Sequence, residues 1–195
     1  MAAPQKPRPS LEELWAQLEA LPVTAKGEIL DGELYVHPRP RPRHARAIGY
    51  LGHHLGGAFD YDDDGPGGWW IVPEPGINLP GSPEVSPDLA GWRRSQMPEL
   101  PPEGEPFRKV PDWVCEVLSP SNARYDRAVK QPFYARMGVA WLWLVDSREQ
   151  TIQVSELVDG HWVIRSVCSS EASVRLPPFE LLELPLGNLW GTPGV

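Results

Sequence analysis

The sequence is poor in cysteine, in positive charge and in long apolar runs. Of its 195 residues two are cysteines, and Cys115 lies in a predicted core strand, which argues against a disulfide framework and favours a reducing compartment. Eighteen lysines and arginines stand against 26 acids, and the net charge of −8 argues against broad electrostatic binding of nucleic acid. The sequence shows neither an apolar run of membrane-spanning length nor an N-terminal signal segment. These features predict a cytoplasmic protein without a membrane partner.

Proline, in contrast, is abundant, with 24 residues placed mainly in loops and near the N-terminus. Residues 1–9 are proline-rich and basic, and we predict a disordered lead-in there. Residues 10–195 are long enough to bury one hydrophobic core, which predicts a single domain. Its first helix is predicted to follow Ser10, because Ser10 and Glu13 have the spacing of a capping box.

Two β-hairpins are predicted, one toward each end of the domain. Residues 27–36 (GEILDGELYV) form two short apolar runs around Asp31-Gly32, a dipeptide that favours a tight two-residue turn. Residues 151–157 and 161–167 alternate in the manner of strands around Asp159-Gly160. The N-terminal and C-terminal hairpins therefore flank the middle of the chain.

The sequence of the middle part predicts a strand, a helix and a second strand. The runs WVCEVL (113–118) and WLWLV (141–145) are short, apolar and β-favouring, as buried strands are. A helix between them is predicted to begin at Ser121 or Asn122 and to stop at Gly138.

One acid, Glu116, lies inside the first of these strands, where a carboxylate is costly unless it is paired, protonated or bound to a cation. The helix carries Asp126, Lys130 and Tyr134 along one face, at intervals of four residues. Apolar residues with the same spacing are predicted to form the stripe that faces the core, and they are Val129, Phe133 and Met137.

Asp88, Glu116 and Lys130 form the candidate chemical site. Asp88 follows a proline at a short strand, and two carboxylates on neighbouring strands make a hard oxygen site suited to Mg²⁺ or Mn²⁺. Such an ion, with an ammonium nearby, is suited to phosphodiester hydrolysis. Each residue also has a structural interpretation. Asp88 could cap a turn, Glu116 could pair with an arginine, and Lys130 could pair with Asp126 on the helix surface.

A basic connector follows the first hairpin, with the sequence PRPRPR at 38–43. We interpret it as a solvated linker, with a phosphate-facing arm as the alternative. The arginines that would bind nucleic acid in that alternative are Arg39, Arg41, Arg43 and Arg46.

Several of these segments, taken together, resemble one family of nucleases. They are EILDGEL (28–34), His44 at the start of a helix, SPDLA (86–90), PDWVCEVLSPS (111–121), DRAVKQPFYARMGV (126–139) and WLWLVD (141–146). In this order they resemble the Uma2 family of endonucleases in the PD-(D/E)XK superfamily, which includes restriction enzymes. The resemblance implies an α/β, restriction-endonuclease-like core, with a mixed central sheet flanked by helices and a metal site where two central strands diverge.

The resemblance also implies roles for individual residues. Asp88 matches the Asp of the PD motif and Glu116 the second acid, and both would bind Mg²⁺ (or Mn²⁺). The superfamily lysine would fall at Leu118, which carries no charge, so the resemblance points to Lys130 on the following helix as its replacement. Further candidate site residues are Glu74 and Glu28, as additional acidic ligands, and His44.

We therefore expect a metal-dependent endonuclease that hydrolyses DNA phosphodiester bonds. The alternative is a domain that keeps the fold without catalysis and binds nucleic acid or protein, and a purely structural protein is a third interpretation, suggested by nine tryptophans and many prolines. Metal binding discriminates between the endonuclease and the non-catalytic domain. The oligomeric state stays open, although a homodimer would suit double-strand cleavage.

Overall fold

The computed structural model describes residues 8–39, 42–61, 65–120, 122–169 and 173–190. Most of the predicted lead-in, residues 1–7, lies outside the described residues, as does Arg41. The N-terminal half contains α1 (Leu11–Glu19), β1 (Ala25–Leu30), β2 (Glu33–Pro38), α2 (Pro42–Phe59), β3 (Trp69–Pro73), β4 (Ile77–Leu79), β5 (Ser82–Val85) and β6 (Leu89–Arg93). The C-terminal half contains β7 (Trp113–Leu118), α3 (Ala123–Tyr125), a π-helical turn (Asp126–Lys130), α4 (Gln131–Met137), β8 (Trp141–Asp146), β9 (Thr151–Val158), β10 (His161–Ser169), β11 (Ser173–Val174) and β12 (Leu184–Pro185).

A six-stranded mixed sheet organises the fold, in the order β10-β9-β8-β7-β6-β3. The central strands β7 and β8 run parallel, with Glu116 opposite Leu144, and the other neighbours in this sheet are antiparallel. Every residue of β7 is buried, which explains its continuous apolar sequence. The predicted α/β class with a mixed central sheet is therefore confirmed.

The two faces of the sheet pack against different elements. On one face, Trp113 and Val117 join a core cluster with Leu51 of α2 and Phe179 of the C-terminal segment. On the other face, Val114 and Leu118 pack in a cluster that includes Phe133 of α4. Successive side chains of a strand point to opposite faces of the sheet. Glu116 therefore points to the face that carries α4 and the N-terminal hairpin.

Both predicted hairpins are present. The first joins β1 to β2 through Asp31 and Gly32, whose φ angles of 52° and 75° are the left-handed values that a tight hairpin turn requires. The second joins β9 to β10 through Asp159 and Gly160, with φ angles of 50° and 78°. The first hairpin continues into a smaller sheet with the order β2-β1-β5-β4, which packs on the same face of the main sheet as α4.

The segment after β7 differs from the uniform helix that the sequence predicted. The backbone N–H of Gln131 donates to the carbonyl of Asp126, five residues earlier, which is the bond of a π-helix. Pro132 follows at the first turn of α4, where a residue without an N–H is tolerated. The π turn thus accommodates the proline between two short α-helical pieces.

The predicted core stripe on this segment is also only partly right. Phe133 is fully buried, whereas Val129 and Met137 are half-buried. The residues that are buried instead are on the polar face, and they are Asp126, Lys130 and Tyr134. Their burial follows from a second set of polar groups opposite them, on β1, β6 and β7. Among the described helices, none is long and apolar enough to cross a membrane.

Candidate active site

A cavity of about 40 Å³ lies between the N-terminal hairpin, the ends of β6 and β7, and the π turn. This volume suffices for an ion with one or two waters, because a single water needs roughly 10–15 Å³ measured in this way. Acidic residues from four separate segments line it, and they are Glu28, Asp88, Glu116 and Asp126. The basic residues in its wall are Lys26, His37, Arg39, His44 and Lys130.

Pairing between strands explains how distant acids meet here. Asp88 directly precedes β6, and Leu89 pairs with Cys115, so Asp88 lies level with the middle of β7, where Glu116 projects. Glu28 arrives from β1, where its carboxylate accepts a hydrogen bond from the backbone N–H of Ser86 at 2.8 Å. The loop before Asp88 is thereby fixed to the first hairpin.

Lys130 enters the cavity from the π turn and is 2% exposed. Its Nζ lies 2.7 Å from Glu116 Oε1 and 3.1 Å from Glu28 Oε1, and it donates to the carbonyl of Ser86 at 3.2 Å. Burial alone would lower the pKa of this ammonium, but the charges of Glu116 and Glu28 outweigh burial and raise its pKa well above the ordinary value. The structure therefore brings the three principal predicted residues to one cavity, with Lys130 protonated.

Two of the acids use only one carboxylate oxygen for contacts within the protein. Glu116 Oε1 accepts from Lys130 and, at 2.6 Å, from the hydroxyl of Tyr134. Asp88 Oδ2 accepts the backbone N–H of Val117 at 2.7 Å and lies 3.0 Å from Nε2 of His44. In the part of the chain that the structure describes, Glu116 Oε2 and Asp88 Oδ1 make no hydrogen bond or ion pair. One oxygen of each acid is thus left for a ligand.

Four buried acids of the cavity, Glu28, Asp88, Glu116 and Asp126, lie around one buried lysine, Lys130, and one buried histidine, His44. Burial raises the pKa of Glu116 to about 7, with Lys130 opposing and Asp88 adding to the rise. Burial and the charge of Glu116 raise the pKa of Asp126 to about 8, and the Asp126 carboxylate makes no hydrogen bond or ion pair with the described residues. Protons or a cation are therefore needed to neutralise the site near neutral pH.

The pKa of Asp88 is lowered, whereas the pKa values of Glu116 and Asp126 are raised. Its burial would raise its pKa, but the hydrogen bond and charge of His44, together with Lys130 and the Val117 N–H, lower the pKa overall. Asp88 is consequently ionised at neutral pH. His44 acquires a structural explanation from this contact, because its ring holds the carboxylate that the sequence aligned with the PD motif.

The carboxylate oxygens of the cavity suit an ion such as Mg²⁺ that keeps part of its coordination as water. Among the described residues, no three acidic, histidine or cysteine side chains are close enough to hold an ion by themselves. Asp88 and Glu116 instead offer one unengaged oxygen each. Mg²⁺ is commonly bound through one or two carboxylates and keeps its remaining ligands as water or substrate oxygens.

The remaining predicted residues are distributed around this cavity. Glu74 lies outside it, with its carboxylate 2.9 Å from Nζ of Lys26 at the surface. Arg39 lines the cavity, and its Nε donates to the carbonyl of Val23 at 3.1 Å. Arg46 is exposed and donates to the carbonyl of Asn188 at 3.1 Å. The connector itself is shorter than predicted, because β2 continues to Pro38 and α2 begins at Pro42.

Sequence reasoning missed several residues of the site, and two of these, Asp126 and Tyr134, lie on the same helical segment as Lys130. Their spacing with Lys130 was the available signal, since three polar residues at intervals of four share a helix face. A polar helix face is ordinarily solvated, and the acids that cover this one come from parts of the chain far away in sequence.

Comparisons with known proteins agree with this architecture. The sequence profile of the Uma2 family, described as "Putative restriction endonuclease", matches residues 13–187. The fold is similar to the crystal structure of a protein from Anabaena variabilis ATCC 29413 described as a putative nuclease belonging to DUF820. The two share 21% sequence identity with a TM-score of 0.68, over 91% of this chain and 97% of that one. No similarity to a curated protein was found. Because the profile covers most of its length, this chain belongs to the Uma2 family.

Proposed function

We propose that this protein is a divalent-metal-dependent nuclease that hydrolyses phosphodiester bonds in DNA. The observation that carries the proposal is the meeting of Asp88, Glu116 and Lys130 in one cavity, where four buried acids lie close together. The description of the family and that of the structural neighbour, which is described as a putative nuclease, support the same reaction class.

Asp88 and Glu116 would hold the ion through Oδ1 and Oε2, the two oxygens without partners in the described structure. When bound there, Mg²⁺ would polarise the scissile phosphate and lower the pKa of a coordinated water. Asp88 is ready for this role because His44 keeps its pKa low. Glu116 would lose its proton on binding the ion, because its pKa of about 7 lies close to neutral pH.

Lys130 acts as a fixed positive charge in this mechanism. Its raised pKa keeps it protonated, so it cannot accept a proton from water. Its ammonium holds Glu116 Oε1 and would stabilise the negative charge that develops on the phosphate during hydrolysis. Removing this charge would therefore affect the transition state more than substrate binding.

The cavity is too small for a nucleotide, so the phosphate would approach from its opening. Lys26 and Arg39 lie in that wall and offset the overall charge of −8 where the backbone arrives.

The decisive experiment is a cleavage assay on supercoiled plasmid and on single-stranded circular DNA, with a single-stranded RNA as the third substrate. Each substrate is incubated with purified protein and Mg²⁺, Mn²⁺ or chelator. We expect cleavage with metal and none in chelator, with loss of at least about 100-fold in Asp88→Asn, Glu116→Gln and Lys130→Met. Lys109→Met is the matched control, because Lys109 is exposed and lies outside the cavity.

Several outcomes separate this proposal from a non-catalytic domain. DNA binding without cleavage under every metal condition would indicate the binding domain. Equal activity in wild type and Glu116→Gln would indicate a contaminating nuclease. Cleavage of RNA in preference to both DNA substrates would change the substrate and keep the chemistry.

A further inference from the structure

A second cavity, of about 480 Å³, adjoins the active-site cavity. The two share His44 and Ser119 in their walls. The other residues that line the second cavity, here called the side pocket, are Pro42, Arg43, Leu118, Pro120, Ser147 and Arg148.

The chemistry of the side pocket is opposite to that of the active site. Its walls include Leu118, which is 4% exposed, and two prolines, and none of the described residues that line it is acidic. Its charge comes from Arg43 and Arg148, both exposed. The one described ion pair of Arg148, to Glu149, is long at 3.6 Å and is formed between side chains that are 78% and 66% exposed, so it holds the guanidinium weakly. An apolar pocket with positive charge at its rim suits a flat apolar group that is attached to anions.

The topology places this pocket where open α/β sheets bind ligands. Leu118 ends β7, Ser147 follows the end of β8, and these two strands are parallel. The carboxyl ends of parallel strands are the usual ligand position in open α/β folds. Leu118 also occupies the strand position at which the superfamily carries its lysine. If Lys130 replaces that lysine, the strand position can form an apolar wall.

We propose that the side pocket binds an unpaired nucleobase of the substrate, next to the phosphodiester bond that is hydrolysed. This inference rests on the proposed nuclease function. Arg43 and Arg148 contact the phosphates on either side of that nucleotide. The volume lies within the range of small-ligand pockets and is ample for one base and its sugar.

The substrate class follows from the shape of the pocket. A base in duplex DNA is stacked and paired, so it can enter such a pocket only as part of a single strand or after leaving the helix. Contact with apolar side chains tolerates all four bases, because every base has a π-face. The protein is therefore expected to prefer single-stranded or locally unpaired DNA, with little sequence preference.

The test measures binding in chelator, so that no cleavage is required. Fluorescent dT8 and an eight-residue abasic backbone of equal charge are titrated against the protein at low salt, and anisotropy is recorded. We expect wild type to bind dT8 about tenfold tighter than the abasic chain, because a base in the pocket removes apolar surface from water. A blunt duplex of the same length should bind more weakly than dT8.

Variants assign this preference to the side pocket. Ser147→Trp fills the pocket and should abolish the preference for bases while leaving abasic binding unchanged. The double variant Arg43→Ala, Arg148→Ala should weaken both probes, and it covers the case in which the tryptophan disturbs folding. Arg165→Ala is the control, because Arg165 is an exposed, ion-paired arginine that lines neither cavity.

Equal affinity of wild type for dT8 and the abasic chain would overturn the inference, as would a base preference that survives in Ser147→Trp. Absence of measurable binding to either probe would also overturn it. The plasmid assay is independent of this result. Cleavage without a base preference rejects only the side pocket, and a base preference without cleavage rejects only the nuclease.

Discussion

Nζ of Lys130 lies 2.7 Å from Oε1 of Glu116, and both side chains are almost fully buried. The lysine comes from a π turn and the acid from the central strand, so the contact connects the helical layer to the middle of the sheet. A buried ion pair of this kind contributes little net stability when intact, but removal of one partner leaves an uncompensated charge.

Lys130→Met should therefore destabilise the metal-free protein by about 3–5 kcal/mol, the usual cost of breaking a buried pair. Chemical denaturation in chelator measures this loss. The double variant Lys130→Met, Glu116→Gln should recover part of it, because the remaining carboxylate charge is removed. Lys109→Met serves as the exposed control and should remain within about 0.5 kcal/mol of wild type. A Lys130→Met protein as stable as wild type would show that the pair is not formed.

Asp126 should make stability depend on pH. Its pKa in the folded protein is about 8, against an ordinary value of 3.8. Below the ordinary value both states hold the proton and no penalty exists. Between that value and about 8 only the unfolded state ionises, so stability falls as pH rises, by up to about 1.4 kcal/mol per pH unit. Above this range the whole penalty is present.

The check is to measure the free energy of unfolding from pH 5 to pH 8.5 in chelator. Asp126→Asn should flatten the curve and be more stable than wild type at the alkaline end. The surface variant Asp159→Asn should leave the curve unchanged. A slope that is identical in Asp126→Asn and wild type would mean that this carboxyl ionises normally.

Tyr134 should act as a positioning residue through Glu116. Tyr134→Phe removes the 2.6 Å hydrogen bond to Oε1 and leaves the ring in place. We expect kcat to fall about tenfold with little change in KM, because a hydrogen bond to a charged group contributes about 1.5–3 kcal/mol. The pH–rate profile should also shift to higher pH, because Glu116 loses a donor that stabilises its charge. This shift distinguishes a positioning role from a packing role. Tyr35→Phe removes a surface bond to Glu33 and controls for loss of a hydroxyl. A profile that does not move would assign Tyr134 to packing alone.

His44 should act through Asp88. His44→Ala removes the contact that lowers the pKa of Asp88, so Mn²⁺ affinity should fall more at pH 5.5 than at pH 8, where the acid is ionised in either case. Calorimetric titration at the two pH values measures the difference. His53→Ala changes an exposed histidine on the same helix and should match wild type. Equal losses at both pH values would point to a structural role for His44.

The sequence predicted the elements whose signals are local. β7 and β8 were evident because a strand buried on both faces is apolar throughout, and the hairpins were evident because Asp-Gly favours φ values above zero. The π turn was not predictable from spacing, because α and π turns differ by a single hydrogen-bond step. The side of the helix that faces inward was predicted only in part. Phe133 is buried as expected, whereas Asp126 and Lys130 are buried because Glu28 and Asp88 arrive from elsewhere in the chain.

Part of the site was likewise predictable from the sequence, and part was not. Asp88, Glu116 and Lys130 were proposed from their order in the chain and from the family resemblance, and pairing of β6 with β7 explains why the two acids meet. The sequence could not show which oxygen of each acid is engaged, nor that Leu118 forms the wall of a second pocket. Those properties depend on side-chain contacts between segments that are separated by up to a hundred residues.

The π turn at Asp126–Lys130 has a consequence for how this chain can vary in length. It contains one more residue than an α-helical turn would need to join α3 to α4. Deletion of a single residue within it would favour a continuous helix and would rotate Asp126 by about 100° relative to Tyr134, because successive α-helical residues are 100° apart. Substitution at the exposed Arg127 or Ala128 leaves that rotation untouched. This stretch should therefore accept changes of residue while its length stays constant among active relatives.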